Sequence, residues 1–117
     1  MSNLYEVTVE IGDHALKKRD KIIAYLKRLP FFKKDKGYIV AGLPSSYLSR
    51  VITAKGKGVL RNELEEEFAT RVTHKIWDIN EAFCYVTITT VYLEDPPTEE
   101  FVYNETDYHQ YKEIPIK

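Results

Sequence analysis

The chain is predicted to fold as a small α+β domain: a mixed or antiparallel sheet with two to three helices packed on one face. Three observations predict it. Period-two stretches, "LYEVTVEI" and "AFCYVTITTVYLE", lie near the two ends, with segments of helical spacing between them. The 117 residues suffice for one domain with its own core and not for two. The apparent order, β-α-β-α-α-β with a terminal strand, suits a layer of helices on one sheet face, and a ferredoxin-like arrangement is one candidate. Residues 1–100 are assigned to this domain, and 101–117 to a tail holding an edge strand and then loose chain.

In the first strand Tyr5, Val7, Val9 and Ile11 alternate with Glu6, Thr8 and Glu10, as a half-buried strand requires. Asp13 is placed to cap the following helix by accepting its orphan amide hydrogens. Ala15, Leu16, Ile22, Ile23, Leu26 and Leu29 then recur at helical spacing until Pro30 stops them. "GYIVAGL" reads as a second, more buried strand. A short helix is expected over Ser45–Ala54, with Tyr47, Leu48, Val51 and Ile52 inward and Ser46, Ser49, Arg50 and Thr53 outward, ended by Gly56 and Gly58.

A third helix is predicted to start at Asn62, which has capping-box spacing to Glu65. Glu63, Glu65, Glu66 and Glu67 lie where the helix dipole favours negative charge, and Leu64, Phe68, Val72 and Ile76 form the core stripe. In the last long strand Cys84, Val86 and Ile88 share a face, and the apolar phase shifts at Thr89–Thr90. Such a shift predicts a β-bulge or a strand covered on both faces. "DPPTEE" breaks the run, and Phe101–Tyr103 adds the edge strand.

The net charge of −1 hides a strong asymmetry. Residues 1–62 carry 13 Lys/Arg and 5 Asp/Glu, or +8; residues 63–117 carry 4 and 13, or −9. Such a split points to a polyanion or a charged partner unless folding brings the halves together to neutralise each other. The chain has one cysteine, so no intramolecular disulfide forms, and it shows neither a basic-apolar leader nor an apolar run of roughly 20 residues. These features predict a cytoplasmic protein, of a cell or of an infected host, with no membrane partner.

Catalytic chemistry has little footing. His14, His74 and His109 fall in different elements. Only His74 and Asp78 have i, i+4 spacing for a shared metal, and His74 lies off the apolar stripe, as a surface residue would. Cys84 reads as a small buried apolar residue, and Lys55 and Lys57 lack the GxxxxG of a nucleotide loop. No enzyme activity, cofactor or metal is expected.

Nucleic acid is the favoured partner, with its type left open. Lys17, Lys21 and Arg28 fall on one side of the first helix around Ala24, with Lys27 at the border. Lys33, Lys34 and Lys36 follow, interleaved with Phe31, Phe32 and Tyr38. Cations of this kind contact phosphates, and rings stack on unpaired bases. Arg50, with Lys55 and Lys57 on a Gly-flanked loop, extends the patch. The alternative is a viral or mobile-element accessory protein that inhibits a host protein through its acidic half, docking Tyr103, Tyr108 and Tyr111. Head-to-tail charge complementarity also suggests a homodimer.

One local likeness stands beside these readings. "GLPSSYLSRV", residues 42–51, resembles the turn and recognition helix of Cro/repressor-type helix-turn-helix proteins. The resemblance implies that Ser45, Ser46, Ser49 and Arg50 face the major groove of DNA. It covers ten residues, and the β-rich flanks differ from that all-helical family.

Overall fold

The computed structural model describes residues 4–42, 50–60, 63–93 and 98–113. Strict alternation makes the N-terminal segment the central strand. In β1 (Leu4–Gly12), Tyr5, Val7, Val9 and Ile11 are buried, while Glu6, Thr8 and Glu10 point to the other face. Around it lie β2 (Gly37–Ala41), β3 (Ile52–Val59), β4 (Tyr85–Tyr92) and β5 (Thr98–Tyr103), in the order β2-β3-β1-β4-β5 with every pairing antiparallel. The helices α1 (Arg19–Arg28) and α2 (Glu65–Asn80) supply apolar faces to the core, and α3 (Glu105–Lys112) packs against α2. The fold class is therefore α+β, as the sequence predicts.

The second predicted helix is a strand. Ile52, Thr53 and Ala54 open β3, and Lys55, Gly56, Lys57 and Gly58 continue it, so the glycines do not end a helix or form a loop. Its predicted start, including Ser45, Ser46, Tyr47, Leu48 and Ser49, lies outside the described residues. The helix-turn-helix likeness fails on its neighbours: β2 precedes it, Arg50 is an exposed turn residue, and β3 follows. With β3 in place the succession becomes β-α-β-β-α-β, which is ferredoxin-like. The five-strand order is nevertheless not the ferredoxin order, because β5 extends the sheet beyond β4 and α3 follows it.

The glycines of "KGKG" have a packing reason. A single 3-10 turn, Pro30–Phe32, lies directly on β3. A Cβ at Gly56 would overlap the Phe31 carbonyl, and one at Gly58 would sit 2.7 Å from the Phe31 ring. Phe31 meets Phe68 edge-on at 5.1 Å between ring centres, which ties this turn to α2. Phe31 and Phe32 are both buried, so neither ring is available to stack on a base as the sequence suggested.

Three cap and register expectations are also corrected. Asp13 takes a left-handed φ of 60° at the strand exit and does not cap α1. The Ala15 amide instead donates to Asn80 Oδ1 at 2.7 Å, while Asn80 Nδ2 donates to the Ala82 carbonyl at 2.9 Å. A buried side chain at the end of α2 thus satisfies the entry to α1. Asn80→Ala removes both hydrogen bonds and the packing of a buried side chain and is expected to cost about 2 kcal/mol, measured as a shift of the urea midpoint at unchanged slope.

Helix α2 starts at Glu65, with the Leu64 amide bonded to the Glu67 carboxylate at 2.8 Å; Leu64 is exposed and leaves the core stripe to Phe68, Val72 and Ile76. Asn62 lies outside the described residues. The β1–β4 register runs unbroken from Gly12–Tyr85 to Tyr5–Tyr92, and Thr90 is buried in phase with Val86 and Ile88. Hence β4 has no bulge there, and only one of its faces is covered.

Residues expected to be loose form α3. Asn104 Oδ1 accepts the Asp107 amide at 3.0 Å and Asp107 accepts the Asn104 amide at 2.9 Å, a reciprocal cap. Fully buried Trp77 anchors the region. Its Nε1 donates to the Cys84 carbonyl at 2.9 Å, and its ring meets Tyr108 edge-on at 5.2 Å.

Candidate nucleic-acid interface

Among the described residues, one face of the sheet carries no helix. Cross-strand pairing sets its rows: Tyr38 opposite Lys55, then Thr8, Thr89 and Glu100; beside it, Val40 opposite Thr53, then Glu10, Thr87 and Val102. The first row runs from a cation at the β2–β3 side to an acid on β5. The second row carries a single charge, Glu10 on the central strand.

Direct ion pairs across the charge split of the sequence are few among the described residues. Among the described residues there are four ion pairs: Lys18–Glu81 at 2.8 Å, Lys55–Glu6 at 3.7 Å, Arg71–Glu63 at 2.9 Å and Lys112–Asp78 at 2.6 Å. Only Lys18–Glu81 joins the basic half to the acidic half. Exposed pairs of this kind contribute little to stability, but this one decides where positive charge survives. Hydrogen bonding and charge from Lys18, with Lys21 and Lys17 adding to them, hold the Glu81 carboxyl below its ordinary value. The acid therefore sits within the field of Lys17 and Lys21 at the start of α1.

At the other end of α1 the balance differs. Lys27 and Arg28 occupy the last turn, where cations complement the carbonyl end of the helix. The chain then passes through Phe31 and Phe32 to exposed Lys33, Lys34 and Lys36. A cleft of about 420 Å³ opens at the outer edge of β2, lined by Lys27, Lys33 and Lys34 together with Phe32, Gly37, Tyr38 and Ile39. No acid is among its described lining residues. Tyr38 is 54% exposed on the open sheet face.

The predicted patch therefore divides into three. Lys33, Lys34 and the Arg28 end of α1 gather at the β2 edge. Lys55 and Lys57 lie on the open sheet face, Lys55 directly opposite Tyr38 and Lys57 donating its amide to the Lys36 carbonyl at 3.1 Å. Lys36 and Lys57 also line a mixed-charge cleft of about 720 Å³ with Asp35, Glu63 and Arg71. Lys17 and Lys21 stand apart, beside Glu81. Arg50 is exposed before β3. Lys27 and Tyr38 were legible in the sequence only as neighbours of the basic run; the cleft makes them central.

The acidic half presents a different arrangement. Tyr103, Tyr108 and Tyr111 are half-buried and hold α3 in place. Tyr103 shares a hydrogen bond with Thr70 at 3.1 Å; Tyr111 stacks on His74 at 3.7 Å between ring centres and donates to both Asp78 carboxylate oxygens at 3.0 Å. His74 and Asp78 thus serve as the α3 contact, and no group of three His, Cys, Asp or Glu is placed to hold a metal among the described residues. Burial pushes the Cys84 thiol up to about 12, with Asp13 adding to it, so it carries no thiolate at neutral pH.

This contact is acid-sensitive. Burial lowers the His74 imidazole below its ordinary 6.5, opposed by Asp78 and reinforced by Lys112. Burial raises the Asp78 carboxyl, but the Lys112 and Tyr111 hydrogen bonds outweigh it and hold the group below its ordinary 3.8. Both groups therefore take up protons more readily when α3 is undocked. Their contribution is complete above 6.5; one part is lost as pH falls from there through the lowered His74 value, the rest below 3.8 through the lowered Asp78 value. Amide hydrogen exchange in α3, relative to α2, is expected to rise in those two windows and to stay flat between neutral pH and pH 8.

Among the described residues no helix is long and apolar enough to cross a membrane. Compared with family models, with curated proteins and with solved structures, the chain matches none, so the interface is read from its own geometry.

Proposed function

We propose that the protein is a non-catalytic nucleic-acid-binding protein that uses the basic edge formed by the end of α1, the Lys33–Lys36 loop and β2–β3. The observation that carries the reading is the cleft at β2, where Lys27, Lys33 and Lys34 line the wall with an exposed tyrosine and no acid is among the described lining residues. Cations so grouped neutralise phosphates and release counterions, which supplies sequence-independent affinity. Lys36, Lys55, Lys57 and Arg28 extend the positive edge. Lys17 and Lys21 contribute less, because they lie at the opposite end of α1 from the cleft.

The acidic β5 side faces away from this edge and limits non-specific adhesion. The alternative, inhibition of a host protein through the acidic half, draws on exposed Glu99 and Glu100 rather than on the tyrosines, which are engaged with α2 and the core. Head-to-tail pairing of two copies draws on the same two poles.

Fluorescence polarisation with labelled DNA and RNA at about 50 mM salt tests the first reading. Saturable binding that weakens steeply with salt supports it. No binding to any single- or double-stranded probe contradicts it, and a protein partner that survives nuclease treatment then favours the alternative.

A further inference from the structure

We infer that the ligand of the basic edge is a single strand, held along β2 with one base stacked on Tyr38. This rests on the nucleic-acid reading above and specifies it. Tyr38 is the aromatic residue on the open face that lies beside cations: it pairs in register with Lys55, and its neighbours in the cleft are Lys27, Lys33 and Lys34. Neighbouring strands lie about 4.8 Å apart, so Lys55 is in reach of a phosphate flanking a base on that ring. A duplex keeps its bases stacked internally and offers Tyr38 nothing to stack on, whereas an unpaired base offers a π-face of matching size.

The path follows β2 and does not cross the sheet. On β1 the same face carries Glu6 and Glu10, and Glu6 already faces Lys55 at 3.7 Å. A backbone laid over β1 toward β5 would meet these acids and then Glu100, and be repelled. The cations gather at the entry to β2, where Lys34 and Lys36 precede the strand and Lys57 of β3 donates its amide to the Lys36 carbonyl, and Lys55 stands opposite Tyr38 within it. Among the described residues β2 is an edge strand, whose outer backbone groups suit the polar edges of unpaired bases.

The test compares one labelled oligonucleotide, single-stranded and annealed to its complement, against the wild type, Tyr38→Ala and Tyr38→Phe. The expected result is tighter binding of the single strand, roughly tenfold weaker in Tyr38→Ala and restored in Tyr38→Phe, with the duplex affinity of the variants unchanged within about twofold. Tyr38 is exposed, so the variants are expected to melt with the wild type, which a thermal scan verifies. Equal or tighter duplex binding, or single-strand binding indifferent to Tyr38→Ala, overturns this inference and leaves the basic-edge reading standing. Absence of binding to both forms overturns the reading itself.

Discussion

Gly56→Ala is expected to destabilise the protein by about 3 kcal/mol, at the upper end of ordinary overpacking costs. Alanine normally improves a strand position over glycine by roughly 0.5–1 kcal/mol, so the sign of the change is itself informative. The reason is the Phe31 carbonyl, which occupies the space a methyl would need. Backbone cannot swing aside as a side chain can, and the Pro30–Phe32 turn is held by Phe68 on its other side. Relief would require lifting the turn off β3, which exposes Phe31 and loosens the lysine loop that follows it. Gly58→Ala meets only the ring of Phe31 and is expected to cost about 1 kcal/mol. Chemical denaturation of the two variants side by side checks both numbers. A Gly56→Ala protein as stable as wild type would mean that the turn does not lie on β3.

The second large effect concerns binding. Lys33→Glu/Lys34→Glu is expected to weaken nucleic-acid binding at least roughly a hundredfold at low salt, since it replaces two phosphate contacts with two repulsions. Both side chains are exposed and make no ion pair among those described, so stability is expected to stay within about 0.5 kcal/mol of wild type. The matched control is Lys17→Glu/Lys21→Glu, which makes the same change of charge at the Glu81 end of α1. Its expected loss is only a few-fold, because those lysines lie at the far end of α1 from the cleft. Titration of the same probe against both variants separates a localised edge from a diffuse attraction. Equal losses would mean that net charge alone drives binding.

The central strand and the inner face of α2 could be read from the chain because local pattern and tertiary role agree there. Tyr5, Val7, Val9 and Ile11 alternate, and Phe68, Val72 and Ile76 repeat at helical spacing, whatever surrounds them. The stretch 52–58 misleads for the opposite reason. "PSS" carries the chemistry of a helix start, and Gly56 and Gly58 read as breakers, whereas their role is to admit a turn from 25 residues earlier in the chain. No local signal reports a close approach of that kind.

Asp13 is a similar case, since the entry to α1 is satisfied by Asn80 from the far end of α2. The start of α3 is legible in "NETD", where Asn104 and Asp107 stand at reciprocal-cap spacing, against the general expectation that a chain terminus is loose. For the candidate interface, composition located the basic half. Only strand pairing shows that Lys55 stands beside Tyr38, and only helix packing brings the start of α1 to Glu81 at the end of α2.

The most direct test of the basic edge is the salt dependence of binding to a labelled single-stranded oligonucleotide, wild type against Lys33→Glu/Lys34→Glu. Each phosphate contact contributes about −0.7 to the slope of log affinity against log salt on a single strand. With four to five lysines engaged, the wild-type slope is expected near −3, and the variant slope shallower by at least about 1.4. Undetectable wild-type binding at about 50 mM salt, or equal slopes for the two proteins, would contradict the account.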